Sequence, residues 1–100
     1  MKSLIEKLPK TLNNDLKLAI EILKTYNCLE IYVFGSVAKG NNTENSDLDI
    51  GIKGIKPEHF FDAYADLSFS LKSRVDLVNL DSNKGFADLL FEVEELVRVA

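Results

Sequence analysis

The amino-acid sequence predicts an α/β two-layer sandwich, in which one β-sheet is backed by helices. The first observation is an amphipathic pattern, in which Leu12, Leu16 and Leu23 recur at helical spacing. The second is a run of β-branched and aromatic residues at 29–34, which Gly35 stops and which is typical of a buried strand. Because helical and strand patterns keep alternating along the rest of the chain, one sheet covered by helices is the expected architecture.

The other elements follow from the same periodicities and from turn-forming residues. Pro57 suits the first turn of a helix that reaches about residue 72. The aromatic residues of that helix indicate core packing, with part of the cluster available to a partner in so small a domain. They are Phe60, Phe61, Tyr64 and Phe69. The predicted order is a helix ending near Tyr26, a strand at 29–34, a polar loop at 40–46, a strand at 48–52, a helix at 57–72, a strand at 74–80, a turn at 81–83 and a helix at 86–99.

Length and composition restrict the kind of protein. With 100 residues, 46% of them hydrophobic, the chain is expected to form a single domain over residues 1–100. The net charge is −4 and the lysines are scattered, which argues against direct nucleic-acid binding. A single Cys28 and a single His59 exclude an internal disulfide and a cysteine-based zinc site. No apolar run suggests a leader or a membrane span, so a cytoplasmic location is expected.

Two kinds of functional group lie between the first two predicted strands. Gly35 ends a strand and Ser36 opens a single helical turn, where backbone N–H groups and a hydroxyl can converge on a phosphate. Asp47 and Asp49 stand two residues apart at the start of the next strand, so both carboxylates are expected on one face. At a separation of about 6.5 Å and an effective dielectric of about 20, they would repel each other by about 2.5 kcal/mol. A cation is therefore expected between them.

A third carboxylate occurs in the predicted strand at 74–80. Asp76 interrupts an otherwise apolar segment, and it joins the same site if that strand is a neighbour of the second strand. Its alternative role is that of a solvent-facing residue on an edge strand. Arg74 shares its face, so it can pair with that carboxylate or contact a phosphate, and the ion pair is the expected role. Hard oxygen ligands select magnesium, and three carboxylates suit a site for two metal ions.

The ordered combination resembles the nucleotidyltransferase superfamily that contains the palm of DNA polymerase β. The residues that carry the resemblance are Gly35-Ser36, a second glycine at Gly40, then Ser46-Asp47-Leu48-Asp49 and a later strand aspartate, Asp76. The resemblance covers most of the chain and implies a mixed sheet with helices packed on it. The short length is similar to that of the minimal nucleotidyltransferases, which act as antitoxins beside a helical HEPN-domain ribonuclease toxin.

The resemblance also implies a role for each matching residue. Asp47, Asp49 and Asp76 are the implied catalytic residues and the ligands of two magnesium ions. The implied nucleotide-binding residues are Gly35, Ser36, Lys39 and Ser46, with Ser46 alternatively bonding only the loop backbone. Lys39 stands where many relatives have arginine, and it keeps the positive charge while losing bidentate geometry.

The implied reaction is magnesium-dependent transfer of a nucleoside monophosphate, AMP from ATP, to a hydroxyl. The implied acceptor is a tyrosine of the HEPN toxin, whose modification would silence it. A first alternative is a binding module that neutralises its partner by occlusion without catalysis. A second is transfer to a small molecule, which is weakened because no substrate domain accompanies the motif.

Overall fold

The computed structural model describes residues 7–39, 47–92 and 96–100, although the side chains of Ser36 and Lys39 also lie outside the description. The predicted loop at 40–46, with Gly40 and Ser46, lies outside the described residues. The helices are α1 (Lys10–Thr25), α2 (Gly35–Lys39), α3 (Phe60–Ser70, preceded by a 3₁₀ turn at Pro57–His59) and α4 (Lys84–Glu92). The strands are β1 (Glu30–Phe34), β2 (Leu48–Lys53), β3 (Val75–Asn79) and β4 (Val97–Arg98).

The described strands form a mixed sheet in the order β3-β2-β1-β4. Strand β1 pairs antiparallel with β2 and with β4, whereas β2 pairs parallel with β3. A parallel pair requires a crossover, and α3 with its 3₁₀ turn supplies that connection. The predicted α/β sandwich with a mixed sheet is therefore confirmed.

The main hydrophobic core lies between the sheet and two helices, α1 and α3. Alternate residues of each strand point into it, as the period of two requires. Helix α1 contributes one apolar stripe, which matches the helical spacing seen in the sequence. The fully buried members include Leu12, Leu16 and Leu23 of α1, Ile31 and Val33 of β1, Leu48, Ile50 and Ile52 of β2, and Ala63 and Leu67 of α3.

The opposite face of the sheet carries a smaller core beneath α4. Tyr32 and Leu80 are buried there together with Ala87 of α4. The ring of Phe86 meets that of Phe34 edge to face, with centroids 5.7 Å apart. Among the described residues this second face is therefore only partly covered, and the starts of β2 and β3 lie on it beyond the smaller core.

The prediction of one long helix at 86–99 is wrong. Helix α4 ends at Glu92, and residues 97–98 form β4 on the free edge of β1. The pairing continues beyond β4, because Val99 N–H donates to Ile31 C=O at 2.8 Å and Ile31 N–H donates to Ala100 C=O at 3.0 Å. The β-branched Val97 and Val99 pack against the main core, so burial and strand pairing together favour an extended segment over a helix.

The aromatic cluster predicted for the helix at 57–72 divides between core and surface. Phe60 and Tyr64 pack against the main core, whereas Phe61 is 78% exposed and Phe69 is 91% exposed. Core packing is therefore confirmed for two of these residues, and the other two form the exposed part that the prediction allowed for. No helix within the described ranges is long and apolar enough to cross a membrane.

A buried carboxylate anchors the loop that leads into β3. Asp15 of α1 is 4% exposed and accepts hydrogen bonds from the backbone N–H groups of Lys72 (3.1 Å) and Ser73 (2.7 Å). A buried charge is costly unless it is hydrogen-bonded, and these two donors supply its partners. Asp15 thereby ties the start of β3 to the first helix.

We expect Asp15→Ala to lower the free energy of unfolding by about 3 kcal/mol, because hydrogen bonds to a charged acceptor contribute about 1.5–3 kcal/mol each. Asp15→Asn keeps one acceptor oxygen and should cost less. Urea unfolding followed by circular dichroism measures both changes, with the exposed neighbour Asn14→Ala as a control. An equal midpoint for wild type and Asp15→Ala would contradict the anchoring role.

Candidate active site

Two of the predicted carboxylates lie opposite each other on neighbouring strands. In the parallel register of β2 with β3, Asp49 pairs with Asp76 and Leu48 pairs with Val75. Leu48 and Val75 are buried in the main core, so strand alternation turns both aspartates to the opposite face of the sheet. The expectation that the third strand neighbours the second is confirmed. Asp76 is also exposed and lies on an edge strand, as its alternative role requires, so its assignment to the site stays a prediction.

The turn at Gly35 lies against the carboxylate of Asp49. Phe34, the last residue of β1, pairs with Asp49, and Gly35 follows it with a φ of 71°. A Cβ built on Gly35 would overlap Oδ2 of Asp49 and would lie 3.2 Å from its Cγ. Glycine is therefore required both by the left-handed backbone and by this close approach. The predicted single helical turn is present as α2, which begins at Gly35.

The carboxylate of Asp49 is destabilised in its charged form. The pKa of Asp49 is raised above its ordinary value, first by burial, then by the negative charge of Asp76 and then by that of Asp47. Asp47 itself is exposed and comes directly before β2. The negative charges of Asp76 and Asp47 thus act on Asp49.

The donor set fits a hard divalent cation. Carboxylate oxygens are the ligands that magnesium prefers, and the mutual repulsion at Asp49 is what a cation would relieve. Within the described ranges, however, no three His, Cys, Asp or Glu side chains converge closely enough to form a metal cage by themselves. Magnesium sites commonly draw several ligands from water and substrate phosphates, so a site built on a carboxylate pair is consistent with this geometry.

The neighbour of Asp76 is a tyrosine, which the sequence did not indicate. Tyr64 O–H lies within hydrogen-bond distance of two acceptors, Val75 C=O at 3.2 Å and Asp76 Oδ1 at 3.3 Å, which share its single proton. The predicted ion pair between Arg74 and Asp76 is wrong, since the described part of the chain has no salt bridge between them. Strand alternation does put the two residues on one face, but Arg74 precedes β3 and is exposed to solvent.

The remaining predicted residues are placed only in part. The backbones of Ser36 and Lys39 lie in α2, next to Gly35, but their side chains are outside the described set. Ser46 lies outside the described residues altogether. The structure therefore brings together Gly35, Asp49 and Asp76, and the nucleotide-binding roles of Ser36, Lys39 and Ser46 stay predictions.

Gly35→Ala should destabilise the fold by at least about 1–2 kcal/mol, the usual cost of a left-handed conformation for a residue with a Cβ. Gly85 of α4 is the matched control, because a Cβ there meets nothing within 4 Å. Gly85→Ala should be neutral or stabilising by about 0.5–1 kcal/mol. Thermal unfolding of the two variants measures the difference, and equal melting temperatures would show that Gly35 is not constrained.

Asp49→Asn should raise the melting temperature in metal-free buffer at pH 7. A raised pKa in the folded protein means that the fold favours the protonated carboxyl. That contribution to stability is complete below the ordinary aspartate pKa of about 3.9 and is lost as the pH rises through the raised value. The gain from Asp49→Asn should accordingly disappear in acid.

The control for this prediction is Asp88→Asn, which removes one negative charge from an exposed position on α4. Thermal unfolding in the presence of a chelator, repeated between pH 3 and pH 8, measures both variants. A gain for Asp49→Asn that does not depend on pH, or none at pH 7, would contradict the electrostatic explanation.

Comparison with solved structures finds chains of similar fold. One chain, from a structure described as a toxin-antitoxin with AMP-PNP, has a TM-score of 0.56 and 32% identity over 69% of this chain and 59% of that one. A chain from a mutant of the toxin-antitoxin MntA-HpeT has a TM-score of 0.55 and 30% identity over the same shares. A candidate nucleotidyltransferase from Sulfolobus solfataricus has a TM-score of 0.55 and 27% identity over 98% of this chain and 86% of that one.

The match thus spans 59% of the length of the first two chains. Among curated proteins, none matches this chain. Residues 17–97 match the family described as Polymerase beta, Nucleotidyltransferase, which takes in β1, β2, β3 and the three aspartates. The resemblance expected from the motif is confirmed, and the chain belongs to the polymerase beta nucleotidyltransferase family.

Proposed function

We propose that this domain is a magnesium-dependent nucleotidyltransferase that moves AMP from ATP to a tyrosine hydroxyl of a HEPN-domain toxin, and so acts as its antitoxin. The observation that carries the proposal is the register of Asp49 with Asp76, beside the tight turn at Gly35, in a chain of the polymerase beta nucleotidyltransferase family. This register places a carboxylate pair beside a glycine turn that opens a helical turn, a combination that suits metal-assisted nucleotidyl transfer.

In this proposal the carboxylates hold the metal ions. Asp47, Asp49 and Asp76 would be the protein ligands of two magnesium ions, with the remaining positions filled by water and by the nucleotide phosphates. The bound ions would stabilise the negative charge that develops on the phosphates. Asp76 is exposed on the edge strand, where an incoming hydroxyl can reach it, and we assign it the acceptance of the hydroxyl proton.

The turn after β1 would bind the phosphates. The backbone N–H groups at the start of α2 and the hydroxyl of Ser36 would donate to the phosphates that leave as pyrophosphate. Lys39, at the end of α2, would add a positive charge to the same turn, and Ser46 would contact the nucleotide from the loop before β2. In the transfer, the tyrosine oxygen bonds the α-phosphorus and the bond to the pyrophosphate breaks.

The nucleotide and the partner are suggested by the similar structures. One of them is a toxin-antitoxin with AMP-PNP, an analogue of ATP, and another is a mutant toxin-antitoxin. We therefore favour ATP as the donor and a toxin as the acceptor. Because the reaction consumes ATP, we place the protein in the cytoplasm.

The surface of the domain is consistent with a protein partner. Phe69 is 91% exposed and Phe61 is 78% exposed, both on α3, and Leu89 of α4 is 54% exposed. Exposed aromatic residues of this size are enriched at protein interfaces. The same residues favour a second candidate function, in which the domain neutralises the toxin by occlusion alone.

One experiment separates these two functions. The toxin is incubated with this protein, ATP and magnesium, and intact mass spectrometry measures its mass. We expect one or more additions of about 329 Da, the mass of an adenylyl group, and little reaction with free tyrosine, because transfer needs the acceptor held in line.

Asp76→Ala should suppress the additions by two to four orders of magnitude, since it removes a metal ligand and the proton acceptor. The exposed Asp88→Ala on α4 is the matched control and should leave the transfer unchanged. If wild type and Asp76→Ala both neutralise the toxin and neither adds mass to it, the occlusion function is correct and transfer is not.

A further inference from the structure

Tyr64 links the crossover helix to the first two residues of β3. It lies on α3, is half-buried, and packs against the main core and the ring of Phe60. Its O–H group lies 3.2 Å from Val75 C=O and 3.3 Å from Asp76 Oδ1. One hydroxyl therefore meets both the backbone and the carboxylate at the start of the strand.

The hydrogen-bond ladder of β3 tells which edge this hydroxyl occupies. Leu48 N–H donates to Arg74 C=O at 2.8 Å, and Leu80 N–H donates to Ile52 C=O at 2.9 Å. Residues 74 and 80 therefore turn their backbone groups towards β2, and the alternate residue Val75 turns its own towards the outer edge of the sheet. Tyr64 consequently reaches around that edge, from the main core to the face that carries Asp76.

This position matters because, among the described residues, Asp76 has little else to orient it. The residue is exposed, and in the described sheet its strand has a neighbour on one side only. A carboxylate that must be ordered when it binds a ligand loses side-chain entropy on binding. A hydroxyl held by a helix that packs on the main core restricts the carboxylate beforehand and leaves it lone pairs for further ligands.

We propose that Tyr64 is a positioning residue that holds the carboxylate of Asp76 in the orientation needed for metal binding. The inference rests on the proposed function, because it assumes that Asp76 is a metal ligand. It adds a residue from outside the motif, contributed by the crossover helix. The consequence is that metal affinity depends on α3 as well as on the two strands.

The test measures Mn²⁺ binding, which does not depend on turnover. Wild type, Tyr64→Phe and Tyr26→Phe are titrated with Mn²⁺ in the presence of α,β-methylene ATP, which cannot release pyrophosphate, and free Mn²⁺ is measured by electron paramagnetic resonance. Tyr26→Phe is the matched control, because its hydroxyl also donates to a carboxylate, that of Asp66, away from the site.

We expect Tyr64→Phe to weaken Mn²⁺ binding by about tenfold, the lower end of the range for partners of metal ligands, and Tyr26→Phe to leave it unchanged. In the transfer assay, saturating metal should restore the rate of Tyr64→Phe to that of wild type. A loss of stability alone would not be rescued in this way, and melting temperatures in metal-free buffer detect any such loss.

Unchanged Mn²⁺ affinity in Tyr64→Phe would overturn the positioning role and leave the proposed function intact. A rate that stays low at saturating metal would also overturn it, since Tyr64 would then act on something other than metal affinity. An adenylyl group found on Tyr64 itself would make that residue an acceptor instead. If wild type binds no Mn²⁺ with the nucleotide, the proposed function and this inference both fail.

Discussion

The parallel pairing of β2 with β3, in the single register that sets Asp49 opposite Asp76, is the constraint on which the site depends. A shift of one residue would turn Asp76 into the main core and expose Val75, because side chains alternate between the two faces. Burial of Val75 and Leu77 against the helices therefore specifies where the carboxylate lies. The apolar residues of β3 determine the position of its one acidic residue, so the core and the site cannot vary independently.

Side chains of two helices hold this register, in addition to the pairing of the strands within the sheet. Two parallel strands cannot be joined by a short hairpin. The chain between β2 and β3 crosses over through α3, so no tight turn between the two strands fixes where β3 begins. Asp15 of α1 holds the two backbone N–H groups just before the strand, and Tyr64 of α3 holds its first carbonyl. Two polar side chains from the helices thus act on a five-residue strand that, in the described sheet, pairs with β2 only.

The sequence predicted the parts of the fold that repeat with a simple period. Alternation identified β2 and β3 and the shared face of the aspartates, and the turn at Gly35 was visible as a glycine after a buried run. The prediction of a helix through Val97 and Val99 failed because it continued the pattern of the preceding residues, although a spacing of two residues suits one face of a strand, and the structure pairs this segment with β1. The periodicity also missed Asp15 and the contact of Tyr64, since a pattern of polar and apolar residues does not reveal which distant backbone or carboxylate a polar group will meet.

One face of the sheet carries the main hydrophobic core, and the other face carries the candidate site. The face towards α1 and α3 is closed, and its strand residues are almost all buried. The other face is covered in part by α4 and carries Asp49 with a raised pKa, a group that the fold accommodates in its charged form at a cost. A closed second layer would raise that cost further, because burying a carboxylate pair away from water penalises its ionisation. A second layer that is partly open therefore allows two like charges on adjacent strands. Aromatic and leucine side chains of α4, which belongs to this layer, are exposed as well.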